Sequence, residues 1–190
     1  MGRIDKEHTA EALVDGPLDR QASIDLPKQV ERLTLTTTPA QERHREKVRD
    51  LMRAAHEKSV FGDIPFSDAK FDRAFDNTLH ASGQYLGLVV TLGDRVLGSC
   101  YCALGGYFIG EGGRIVSVTT FNIDPGCGTG LLGGKAALRL AKGIEVWAQS
   151  QQATHVLYHV TGGIEIGRAD RFFRKIGMKT LGGNYGKRVI

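Results

Sequence analysis

The chain has 190 residues, 41% of them hydrophobic, and a formal net charge of +4. That length suits one domain with a real core, and no run approaches the roughly 18 to 20 apolar residues of a membrane span. The mixed-charge opening MGRIDKEHTAEALVDGPLDR lacks the apolar block of a secretory leader, so none is expected, and a cytoplasmic location is.

The mild basic excess leaves room for an anionic small ligand. Lys and Arg interleave with Asp and Glu in QERHREKVRD, the pattern of a solvated helix face, so nucleic acid is not an expected partner. Cys100 and Cys102, two apart in GSCYCALGG, are expected as reduced core residues on one strand face. No C-x-x-C or H-E-x-x-H spacing suggests a metal.

Residues 1 to 30 are polar and weakly periodic, an expected arm beside one domain over 31 to 190. Leu33 and Leu35 alternate with polar residues and predict a short strand. Thr38-Pro39-Ala40-Gln41 predicts a helix start, with Thr38 as N-cap, Pro39 first in the helix and Gln41 closing a capping box. Val48, Leu51, Met52 and Ala55 give that helix its apolar face. Ser67 can cap a second helix, with Phe66 stapled onto Phe71 and the face continued by Phe75 and Leu79.

Three strand-like runs follow, QYLGLVVTL, RVLGSCYCALGGYF and RIVSVTTFNIDP, the first two joined by Gly93-Asp94. GCGTGLLGGKAALRL then puts five glycines into nine residues and becomes a helix reaching about Gln151. THVLYHVTGG predicts a strand, GIEIGRADRFFRKIG a helix, and MKTLGGNYGKRVI a closing strand or hairpin. The order is β α α β β β α β α β: antiparallel first, then a right-handed β–α–β unit, with helices on both faces of a mixed sheet.

A Gly-rich turn between a strand and a helix lets consecutive backbone N–H groups approach a phosphate at the positive end of the helix dipole. The plain reading of such a turn is a flexible connection, and the strand-to-helix context favours the phosphate.

The element order, the junction from NIDP into KAALRLAKGIEVWAQSQQATHVLYHV, and ADRFFRKIGMKTLGGNY together resemble the Gcn5-related N-acetyltransferases over residues 31 to 190. The last of these is similar to the family's closing pattern A-x-x-F-Y-x-K-x-G-F, and HEKSVFGDIPF resembles a substrate-side loop of some members. The resemblance implies an α+β fold, with a mixed, mostly antiparallel sheet of six to seven strands flanked by about four helices. It implies acetyl-CoA as cosubstrate and transfer of its acetyl group to a primary amine of a small molecule or protein by direct attack. No covalent enzyme intermediate is implied.

The family's turn, Gln/Arg-x-x-Gly-x-Gly/Ala, wraps the CoA pyrophosphate. Counting back from Trp147 places it on Leu132, Gly133, Gly134, Lys135, Ala136 and Ala137. Counting forward from Pro125 places it on Pro125 to Gly130. The first register is preferred because helix length is harder to change than a loop. Either way the leading Gln/Arg is absent, with Leu132 or Pro125 in its place, and Lys135 offers the positive charge. The thioester carbonyl would meet backbone N–H groups near Phe121, Asn122 and Ile123.

Phe173 stands where many members carry the Tyr that protonates the departing thiolate, and it has no hydroxyl. Tyr185 and Tyr158 are the candidate substitutes, each also readable as an amphipathic aromatic at the sheet edge. The attacking amine must first lose a proton. His159 and Glu57 are the leading candidates to take it, beside His56, Asp124 and Glu111. A second reading is a catalytically reduced module of the same fold, for example a component of a virus particle or other assembly joined through the arm. That reading would place the chain in a virion, and an exposed closing strand leaves room for a homodimer.

Overall fold

A computed structural model describes residues 34–80, 83–127, 130–160, 162–183 and 185–188. The arm expected over residues 1 to 30 lies outside them. Five strands lie side by side in chain order: β1 (Leu35–Pro39), β2 (Tyr85–Leu92), β3 (Arg95–Gly106), β4 (Arg114–Ile123) and β5 (His155–Tyr158). β1 to β4 are antiparallel. β5 runs parallel to β4, across helix α3 (Leu131–Ser150).

Side chains alternate across a pleated strand, so register decides what each face carries. Val89, Ser99 and Asn122 are successive cross-strand partners on one face, and Leu88, Cys100 and Phe121 on the other. α3 covers the second face: Ala136, Leu140, Ile144 and Ala148 pack with Leu88, Val90, Leu97, Cys102, Val116 and Val118. Leu97, Leu140 and Ile144 are 0% exposed, the class of side chain whose truncation costs about 2–5 kcal/mol. Gly143 is the point of closest approach, where a Cβ would stand 2.7 Å from Leu88 Cδ1. Cys100 and Cys102 are buried free thiols.

The other face is covered by α1 (Arg45–Glu57) and α2 (Asp68–His80), whose Val48, Phe71 and Phe75 pack on Val89. Arg45, Arg49 and Arg53 recur every fourth residue and lie over Phe75, Phe71 and Phe66, each guanidinium carbon 4.5–5.0 Å from the ring centroid. The same guanidiniums pair with Asp76, Asp72 and Asp68 at 2.6–2.7 Å. Later arginines meet earlier aspartates, which sets the two helices antiparallel. The charge run is therefore only half a solvated face, since Arg45 and Arg49 keep just 16% and 19% of their side chains exposed. Their stems and cations pack on rings, a contact that interleaved charge in a sequence does not announce.

The expected start of α1 is displaced. Thr38 and Pro39 stay in β1, paired with Val89 and Leu88, and the Ala40 N–H donates to the Gly87 carbonyl at 2.8 Å. Edge strands tolerate proline, and sheet pairing holds these residues extended. The capping box forms three residues on, between Gln41 and His44, followed by a 3-10 turn (Glu42–His44) leading into α1. Ser67 does cap α2, its Oγ accepting the Lys70 N–H at 3.3 Å.

Among the described residues the sheet has five strands rather than six to seven. Neither a strand nor a hairpin forms among the described residues after α4 (Ile166–Lys175). Gly182, Gly183 and Gly186 leave that stretch few side chains with which to hold a ladder.

Candidate functional site

The parallel pairing of β4 with β5 ends at Val118 and Tyr158, with the His159 N–H donating to the Val118 carbonyl at 3.2 Å. β4 runs on to Ile123, and among the described residues no strand covers that edge beyond Val118. The register against β3 also slips here: Cys102 faces Val118 while Tyr101 faces Thr120, leaving Thr119 as a bulged residue. A bulge inserts one residue and re-aims the strand beyond it.

The direction of the re-aimed amides is set by one bond. The Asp124 N–H donates to the Leu97 carbonyl of β3 at 2.8 Å, so alternation turns the N–H groups of Ile123 and Phe121 away from β3 and into the gap that β5 vacates. Were the same sequence a regular strand with no bulge, Thr120 and Asn122 would hold that position.

A cleft of about 670 Å³ opens there. One wall is β4 from Val118 onward. Gly133, Gly134 and Ala137 of α3 form a second, and His56, Ser59 and Phe66 of the α1–α2 region a third. Tyr158, His159, Glu165, Arg168, Phe172 and Phe173 close the remaining side. Aromatic rings brace this end, with Tyr158 and Phe173 centroids 4.6 Å apart and Phe121 within 5.8 Å of both. Two loops meet across it: the Val60 N–H donates to the Gly162 carbonyl at 2.9 Å, and Gly163, at φ +73°, lies where a Cβ would clash with Val60.

The glycines of the opening turn divide into two groups. Asp124 ties down the first part, its Oδ1 accepting the Gly126 N–H at 2.8 Å and its carbonyl the Cys127 N–H at 2.9 Å. Arg95 holds the other carboxylate oxygen at 2.7 Å. Burial pushes the Asp124 carboxyl up, but Arg95 and the Gly126 N–H outweigh it and leave it below the usual carboxylate range. Asp124 is thus a structural ion rather than a free base.

The second part begins α3. Its N-cap is Gly130, which has no side chain to cap the first-turn amides. Residues 132 to 137 lie inside this helix rather than in the loop before it. Gly133, Gly134 and Ala137 face the cleft, Leu132 and Ala136 pack into the core, and Lys135 is exposed outside the cleft lining. A Cβ on Gly134 would meet nothing within 4 Å, so the space beside it belongs to the cleft.

The other expected residues separate clearly. Phe121, Asn122, Ile123 and His159 line the cleft. Glu57 is exposed at the end of α1 and is not part of the lining, although its neighbour His56 is, with Nε2 2.6 Å from the Ile64 carbonyl. Tyr185 is fully exposed on the tail, whereas Tyr158 forms part of the wall with a buried, unpartnered hydroxyl. Burial raises the Tyr158 phenol above its ordinary value.

Sequence reasoning passed over Glu165 and Arg168, which pair at 2.9 Å in the cleft wall. Glu165 sits at φ 44° ahead of α4, a left-handed conformation that no residue pattern marks in advance. Among the described residues no His, Cys, Asp and Glu group is arranged to hold a metal, and no helix is long and apolar enough to cross a membrane.

No family model matches the chain, and no curated protein matches it by sequence. Solved structures do match. AAC(6')-Iy, in complex with the bisubstrate analogue CoA-S-monomethyl-acetylneamine, superposes with a TM-score of 0.65 at 10% identity, covering 82% of this chain and 97% of that one. A predicted acetyltransferase from Clostridium acetobutylicum, solved with acetyl-CoA, gives 0.60 at 14% identity over 82% and 97%. Glucosamine-6-phosphate N-acetyltransferase from Arabidopsis thaliana gives 0.57 at 13% over 83% and 99%. At these identities the likeness is one of fold.

Proposed function

We propose, from a chain that has the fold of the Gcn5-related N-acetyltransferases, that it moves an acetyl group from acetyl-CoA to a primary amine by direct attack. The observation that carries this reading is the bulged β4 edge. Two N–H groups, on Phe121 and Ile123, point into a cleft that also holds an uncapped helix start. The cleft volume lies within the range of small-molecule and cofactor sites.

In this reading the first-turn amides of α3 hold the anionic pyrophosphate, with Gly133 and Gly134 letting it approach the helix. The thioester carbonyl accepts from the β4 amides, which hold the oxyanion formed when the amine attacks. His159, at the mouth of the cleft, takes the amine proton. The C–S bond then breaks, and the thiolate leaves past the Tyr158–Phe173 pair. Phe173 has no proton to give. Tyr158, kept protonated by burial, is the O–H donor in the wall, and Tyr185 and Glu57 have no part.

The test is Gly134→Leu. The substitution adds a side chain where the protein has none in contact, so the fold gains about 1 kcal/mol of helix propensity while the cleft is filled. Melting should rise without ligand, and acetyl-CoA, which should stabilise the native chain by about 2.7 kcal/mol at a hundred times its Kd, should cease to do so. Thiol release from acetyl-CoA with a panel of primary amines then identifies the acceptor. A native chain whose melting is indifferent to millimolar acetyl-CoA would instead be a scaffold of this fold.

A further inference from the structure

A second cavity, of about 160 Å³, lies between the sheet and helices α1 and α2. Val48, Phe71, Ala74, Phe75 and Val89 give it apolar walls. Two hydroxyls, Ser99 Oγ and Thr120 Oγ1, are buried among the lining residues with no hydrogen-bond partner among the described residues, and Ser99 is 2% exposed. Packing alone does not select this arrangement. An unfilled space costs stability, and an apolar chain that fills it would recover that cost, although it leaves the two hydroxyls unpartnered. The cavity also abuts the cleft, since Met52, Thr119 and Thr120 line both. The shared stretch is the bulge, directly before the amides assigned to the thioester.

We infer that this cavity is an acyl pocket, and that the chain takes aliphatic acyl-CoA donors of about six carbons in preference to acetyl-CoA. The inference rests on the CoA reading above and deepens it. From the thioester carbonyl at Phe121 and Ile123 the acyl chain passes Thr119 and Thr120, goes beneath Met52, and ends between Phe71, Phe75 and Val89. An apolar cavity of about 150 Å³ holds a molecule the size of benzene, which sets the length at roughly six carbons. The chemistry is unchanged: the amine nitrogen bonds to the acyl carbon, the C–S bond breaks, the amine proton goes to the base and the thiolate is protonated.

The experiment is calorimetric binding of CoA, acetyl-CoA, butyryl-CoA, hexanoyl-CoA and octanoyl-CoA to the native chain and to Ala74→Leu, with Ser99→Val as a second filling variant entering from the sheet side. Affinity should rise about fourfold per added methylene from acetyl to hexanoyl and stop there. Each variant should lower hexanoyl-CoA affinity at least tenfold more than acetyl-CoA affinity. Equal binding of acetyl-CoA and hexanoyl-CoA by the native chain overturns the pocket while leaving the CoA reading standing, and so does a gain with chain length that survives both variants. Failure of CoA and every ester to bind removes both.

Discussion

The two faces of the sheet are filled by different physical means. Under α3 the buried centre is mostly aliphatic and closed: Leu97, Leu140 and Ile144 have no exposed surface, and no charged side chain belongs to the cluster among the described residues. Under α1 and α2 the same sheet meets phenylalanine rings, guanidiniums stacked on them, carboxylates outside those, and a cavity with two unpartnered hydroxyls. One face is built for rigidity. The other trades tight packing for space beside the cleft, and uses charge to hold its helices together over that space.

The contrast can be broken at several points. The largest loss is expected from Leu140→Ala, about 3 kcal/mol by denaturant unfolding, with the same loss at pH 5 and pH 8. Arg45→Ala comes next. It removes a guanidinium that pairs with Glu42, Asp72 and Asp76 and lies over Phe75, and about 1–2 kcal/mol should go, with part of that loss masked at high salt.

Acid should act on the α1–α2 face in two stages, while at the turn before α3 the lowered Asp124 carboxyl also loses its contribution at low pH. His44 is held below its ordinary value by burial and by Arg43, and its Nδ1 accepts the Gln41 N–H at 3.1 Å. Its folded value lies below its unfolded one, so its contribution is complete above the unfolded value of 6.5 and declines as pH falls below that. His44→Asn, which keeps an acceptor but cannot titrate, should remove this stage. Glu42 and Asp72 are held down by hydrogen bonds from Arg45 and Arg49 respectively. Their contribution is complete above the ordinary carboxylate range and is lost as pH falls through their lowered values. Arg45→Ala should shrink this second stage in a pH series of melting curves.

The smallest effect is expected at Ser99→Ala. A hydroxyl buried without a partner gives nothing back, so unfolding free energy should stay within about 0.5 kcal/mol of the native value or rise. A loss above about 1 kcal/mol would mean the hydroxyl has a partner and the contrast between the faces is overdrawn.

The α3 face was legible in the sequence because aliphatic residues at helical and strand spacing have one place to go. The Phe66–Phe71 staple and the Ser67 cap were legible for the same local reason. Strand pairing is not local, and it overrode the helix signal at Thr38-Pro39 by holding both residues against β2. The site was legible in part. A count from Trp147 does bring Gly133, Gly134 and Ala137 to the cleft, yet as one face of a helix rather than as a loop, because the count fixes position along the chain and says nothing about where the helix begins. Asp124 drew attention as a base, whereas Arg95, twenty-nine residues before it, commits it to a turn. Glu165 and Arg168 carried no signal, since what brings them to the cleft is the path of the chain after β5.

The extra residue in β4 gives that strand something like a reading frame. Upstream of Thr119 even-numbered positions turn their backbone toward β5, and downstream odd-numbered ones do. Any single substitution leaves the frame intact, so the strand can drift in composition. Insertion of one residue after Thr119, with the bulge kept, would not: Phe121 and Ile123 would exchange sides with Thr120 and Asn122, sending a threonine and an asparagine under α3 and two apolar side chains the opposite way. Change along this strand is therefore open to replacement and to loss of the bulged residue itself, and a gain of one residue is what it cannot absorb.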